Sequence, residues 1–97
     1  MGHLAMKVSA TSLGLKFTLT NGFAVSMLDH EHPDGTREFA VLDKEGELLP
    51  LGGDTIAYAT KAQIVAMAAA LETRSDWGLK EAARALFYFF EAMKEED

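Results

Sequence analysis

Between Leu15 and Thr20 apolar and polar residues alternate without a break. Successive side chains of a strand point to opposite faces, so Leu15, Phe17 and Leu19 share one face and Lys16, Thr18 and Thr20 the other. Asn21-Gly22 follows. The pair suits a two-residue type I′ turn, whose central residues both need positive φ. Phe23 to Leu28 alternates again, with Phe23, Val25 and Met27 directed inward. Together the two runs predict a tight hairpin. The polar stretch 29–36 contains Pro33-Asp34-Gly35, a turn signature. Arg37 to Leu42 reads as a third strand and Asp43-Lys44-Glu45-Gly46 as a turn. Leu48 to Leu51 reads as a short edge strand, where Pro50 is tolerated.

The period changes after residue 60. Thr60-Lys61-Ala62-Gln63 has the spacing of a capping box, with Thr at the N-cap and Gln three residues later. Ile64, Met67, Ala68 and Leu71 then fall on one helical stripe. Thr73 to Asp76 breaks the pattern, and Ser75 suits the N-cap of a second helix from about Trp77 to Lys94. Leu79, Ala82, Ala83, Leu86, Phe90 and Met93 define its buried face. The expected fold is α+β: a four-stranded antiparallel meander over about residues 15–51, then two α-helices over about 61–72 and 77–94. Within the second helix Phe87-Tyr88-Phe89-Phe90 are consecutive. Helical neighbours step about 100° apart, so the four rings point around most of the circumference. Phe87, Tyr88 and Phe89 are therefore candidates for a homo-oligomer interface, in the simplest case a dimer.

Composition changes this picture little. The 97 residues suit one small domain. Residues 1–5 of MGHLAM read as a cloning remnant ahead of a natural Met6, leaving 6–97 as the domain. With 48% hydrophobic and 25% charged residues, the chain falls among globular proteins rather than disordered ones. There is no cysteine for a disulfide or a thiolate ligand. No apolar run reaches the roughly 20 residues of a membrane span, and no signal-peptide pattern is present. A cytoplasmic protein without membrane contact is expected.

Charge narrows the partners. The formal net charge is −6. A chain this acidic gains little by displacing counterions from phosphates, so direct nucleic-acid binding is not expected. Basic proteins, including those that themselves hold nucleic acid, are better matched. Asp29, Glu31 and Asp34 on one turn, and Glu45 and Glu47 on the next, are the candidate partner-binding residues.

The stretch Asp29-His30-Glu31-His32-Pro33-Asp34-Gly35 holds the densest chemistry. His-x-His puts two imidazoles on one side of a strand. With the nearby carboxylates they could ligate zinc, iron or manganese in a metal-dependent hydrolase. Ligand sets usually draw on distant segments held by further contacts, whereas hairpin tips are polar because water covers them. His30 and His32 thus remain weak metal candidates, and no cofactor is expected. Leu-Gly-Gly-Asp-Thr at 51–55 lacks the Lys of a phosphate-binding loop and reads as a connection. No nucleophile motif is present, so no catalytic residue is assigned and a non-enzyme is expected.

Three stretches carry a resemblance: Thr20 to Ser26, FAVLDKEGEL at 39–48 and DTIAYATKAQIVAMAAALE at 54–72. Over about residues 15–72 the chain resembles a family of small phage and prophage proteins. Their pattern joins an Asn-Gly hairpin, an AVLDxxG strand and turn, and a capped helix after an Ile-x-Tyr segment. The loop DHEHPDGT and the second helix depart from it, and its motifs are structural, so no functional residue carries over. The resemblance implies a phage protein in the host cytoplasm that binds a host component. An anti-CRISPR or other anti-defence inhibitor is the expected type, blocking a defence protein by bulk and acidic side chains. An alternative is an oligomer that sequesters a nucleotide-type signal, lined by Arg37, Arg74, Arg84 and aromatic residues.

Overall fold

The computed structural model describes residues 6–51 and 55–72, together with Glu81, Ala83, Arg84, Phe87 and Tyr88. Five strands, β1 (Lys7–Ala10), β2 (Gly14–Thr18), β3 (Ala24–Glu31), β4 (Thr36–Leu42) and β5 (Ala57–Thr60), precede one helix, α1 (Lys61–Glu72). The strands form one antiparallel sheet in chain order. The helix packs across β3, β4 and β5 on one face.

This corrects the expected four strands and two helices. The first strand was not anticipated because all four residues of Lys-Val-Ser-Ala are exposed, which leaves no alternation to detect. Of residues 48–51, Leu48 bridges Leu42, Leu49 N bonds Val41 O at 2.8 Å and Leu51 is a bridge residue, which together make no continuous strand. The rest of that edge of β4 pairs with β5, whose buried Ala57 and Ala59 let the helix lie close. Most of the second helix expected at 77–94 lies outside the described residues. Glu81, Ala83, Arg84, Phe87 and Tyr88 are helical, and Ala83 is fully buried in the core.

The turns share one design. Gly22 N bonds Leu19 O at 3.1 Å, and Leu19 N bonds Phe23 O at 2.8 Å. The same two bonds recur at His32, Gly35 and Thr36, and again at Asp43, Gly46 and Glu47. Each is a three-residue loop closed by a glycine in the left-handed region, with φ of 95°, 86° and 82°. Among the described residues no other residue type has positive φ, so Asn21 does not adopt the expected type I′ geometry. The pattern of the strands explains why. A two-residue turn would pair Leu19 with Ala24 and put the apolar sets of β2 and β3 on opposite faces. The third loop residue instead pairs Phe17 with Val25 and Leu15 with Met27.

The core then forms on one side. Phe17, Leu19, Phe23, Val25, Met27, Phe39 and Val41 meet Ile64, Met67, Ala68 and Leu71 of the helix, the stripe read from the sequence. The capping box forms as expected: Gln63 N bonds Thr60 Oγ1 at 3.2 Å and Thr60 N bonds Gln63 Oε1 at 2.9 Å. At the other end the β2–β3 turn holds the helix terminus. Asn21 Nδ2 donates to Leu71 O at 3.0 Å, a carbonyl in the last turn, and Thr20 N donates to Glu72 Oε1 at 3.1 Å.

Near its end β3 shifts register. Met27 pairs with Phe39, but Glu31 pairs with Arg37, so three residues of β3 face the single residue Glu38. An excess of two preserves the facing of every side chain beyond it. Beside the irregularity β3 lies close against Gly14, which pairs with Leu28. A Cβ on Gly14 would collide with the Met27 carbonyl oxygen and approach Asp29 N. Backbone atoms cannot swing aside, so Gly14→Ala should cost more than about 2 kcal/mol. At Gly35 a Cβ meets nothing, and only the positive φ opposes it. Gly35→Ala should therefore cost about 1 kcal/mol. Urea unfolding of both variants checks the order. Equal losses would mean that close contact at Gly14 is not what constrains it.

Candidate functional site: a recess on the open face of the sheet

The face away from the helix is not the polar surface usual for a sheet covered on one side. Its centre carries three small residues, Ala24, Ser26 and Ala40. Longer side chains ring them: Lys16 from β2, Leu28 from β3, Glu38 and Leu42 from β4. The outermost row of this sheet is broken. Leu48 and Leu49 pair with the C-terminal end of β4, and β5 pairs with its N-terminal half. Ala40 stands opposite the break. Leu48 and Ile56, from the two sides of the break, complete the ring.

The result is a recess of about 310 Å³ with Ala40 and Phe39 among its lining atoms. Ala24 and Ala40 are only 5% and 6% exposed although they face outward. The rim is different: Leu48 and Ile56 remain 45% and 38% exposed, and Tyr58 nearby 42%. The lining is mostly apolar, and Lys16 and Glu38 on its walls have no ion-pair partner among the described residues.

The residues singled out in the sequence lie elsewhere. The third β-strand continues through Glu31, so Asp29, His30 and Glu31 sit on a strand end rather than in a loop. Arg37, with 16% of its side chain exposed, gathers this end. Its Nη1 donates to Asp29 O at 3.0 Å and to Asp29 Oδ1 at 3.3 Å, and its Nη2 to Glu31 Oε1 at 3.5 Å. Its Nε is buried without a partner among the described residues. Asp34 closes its own turn, accepting from Thr36 N at 3.0 Å and Thr36 Oγ1 at 2.7 Å. Glu45 and Glu47 are exposed at the opposite end of β4, on a turn organised by Asp43 Oδ1. The five acidic candidates therefore do not form one patch.

His30 and His32 meet edge to face at 5.1 Å, and His32 meets Tyr58 in the same manner at 5.3 Å. With Asp29 and Glu31 drawn to Arg37, no group of three or more possible metal ligands converges among the described residues. For the nucleotide alternative, Arg37 is committed to the β3 irregularity, Arg84 is exposed and Arg74 lies outside the described residues. Of the aromatic run, Phe87 is half-buried and packs on the core, with Tyr88 57% exposed beside it at 5.6 Å between ring centres. Phe89 lies outside the described residues. No helix among the described residues is long and apolar enough to cross a membrane.

The chain matches no known protein family, curated protein or solved structure. The recess did have a signal in the sequence. Ala24, Ser26 and Leu28, and Ala40 with Leu42, occupy outward positions that a solvated face would give to polar residues.

Arg37 should matter through its carbonyl bond and buried stem rather than through its long, exposed ion pairs. Arg37→Ala should lower stability by about 1–3 kcal/mol, and Glu31→Gln by less than about 0.5 kcal/mol. Equal losses in urea unfolding would show that the ion pair carries the effect.

Proposed function

We propose that the protein is a non-catalytic binding protein that receives a partner protein on the open face of its sheet. In the phage setting implied by the sequence resemblance, the partner is a host defence protein and binding inhibits it. The apolar open face, with Leu48, Ile56 and Tyr58 exposed around the recess, carries this reading. Contiguous apolar surface of that kind commonly marks an interaction site. Two charged side chains, Lys16 and Glu38, beside an apolar centre match the mixed make-up of protein interfaces.

The acidic side chains take a different part in this scheme. Lying at both ends of β4, they add negative potential around the face rather than a single contact. Such charge speeds encounter with a basic partner and makes it salt-dependent.

A phage-restriction assay in cells carrying a CRISPR system tests this directly. Expression of the protein should relieve restriction. Leu48→Ser combined with Ile56→Ser should reduce that relief by roughly tenfold or more. Charge reversal at Glu45 and Glu47 should leave most of it in place. Full relief by the folded serine variant would remove the open face from the reading. No relief by the wild-type protein would remove the CRISPR setting.

A further inference from the structure

We infer that the recess is an anchor site for one large apolar side chain of the partner, with a basic residue beside that anchor meeting Glu38. The inference rests on the open face being the binding surface and specifies the chemistry it selects.

Shape comes first. The centre of the face is concave, because Ser26 and Ala40 lie below a ring of longer side chains. A second copy presenting the same face would set hollow against hollow. The enclosed void would forfeit the contacts that make burial favourable. The occupant must instead be convex at this point, and a single projecting side chain is the simplest convex shape. A volume of about 310 Å³ accommodates Phe, Trp or Leu. Such anchors in recessed, apolar sites typically dominate the affinity of protein interfaces.

A small free ligand fits the surroundings less well. Small-molecule sites usually enclose about 70–90% of their ligand. This recess opens to solvent, and its apolar surface continues over the exposed parts of Leu48 and Ile56. A small molecule would leave that rim wet, whereas a protein surface covers rim and recess together.

Charge then orients the anchor. Glu38 on β4 and Lys16 on β2 stand on opposite walls, separated by β3. Lys16 is in register with Ser26 and Ala40, two residues from Glu38, so two strand spacings and that offset put their backbones roughly 12 Å apart. Neither has an ion-pair partner among the described residues, so each can take one from outside. The net charge of −6 favours a basic partner, which makes Glu38 the wall that binds its cation.

The test uses short random peptides displayed against the immobilised full chain. Selected peptides are synthesised, titrated by calorimetry and mapped by amide chemical shifts. Peptides sharing one Phe, Trp or Leu with a nearby Lys or Arg are expected, with shifts at β2–β4 around Ala40. Replacing the anchor by Ala should weaken binding at least roughly thirtyfold. Ala40→Leu, which fills the floor, and Leu48→Ser, which lowers the rim without touching the core, should each weaken it roughly tenfold. Glu38→Lys should weaken it severalfold, and a peptide with Glu in place of its basic residue should recover the loss. Peptides that map to the open face without a shared anchor, or that ignore both cavity variants, overturn the inference and leave the open-face reading standing. Peptides that map elsewhere count against both. Concentration-dependent shifts on the face without peptide would assign it to a second copy. A recess that takes small aliphatic probes while no peptide is selected would assign it to a small ligand. Either result overturns the inference.

Discussion

Everything on both faces of the sheet depends on the pairing of Leu19 with Phe23 across the first long hairpin. These two residues are directly opposite, and both are buried. Their alignment fixes Phe17 against Val25 and Leu15 against Met27, so one continuous apolar surface faces the helix. One residue fewer in the turn would split that surface between the two faces. The cost of leaving several large apolar side chains in water, about 1.5–3 kcal/mol each, exceeds any local preference of Asn-Gly for a tighter turn. Core burial therefore selects the looser turn.

That turn also positions the helix. Asn21 and Thr20 hold its C-terminal end, while Thr60 and Gln63 close its N-terminal end directly after β5. The helix is thus held by both ends of the sheet it covers. Its small and medium residues, Ile64, Met67, Ala68 and Leu71, lie over the alanines of β5 and the core residues of β3 and β4. With one face closed in this way, the other is left to solvent and to whatever binds there. Arg37 works at the margin of this arrangement. It donates to the Asp29 carbonyl within the β3 irregularity, before the strand runs on to Glu31.

Much of this was legible in the sequence because it rests on local patterns. The inward sets of β2 and β3, the capping box and the helical stripe all follow from periodicity and spacing. What was missed needs information beyond one segment. The first strand has no buried side to report itself. The loop length at Asn21-Gly22 is decided by agreement between two strands, not by the turn residues. The site was harder still. Asp29 to Asp34 drew attention because charged and imidazole groups are dense there, yet the fold spends several of them on Arg37 and on a turn. The recess arises from small residues on two strands and a gap in the outermost row, and no contiguous stretch of sequence contains it.

The break in that outer row separates what holds the domain together from what shapes its surface. Leu48 and Leu49 leave the edge of β4, and β5 resumes along the same edge at Ala57. Of the described residues between them, Leu51 is bridged and buried in the core, whereas Thr55 and Ile56 belong to no strand. Connections between strands on a rigid scaffold generally tolerate change while the strands keep their places. Leu48 and Ile56 stand at its two departures from the sheet and also wall the recess. Inheritance can thus reshape the recess by editing one connection, and a lineage could follow a changing partner without rebuilding its core.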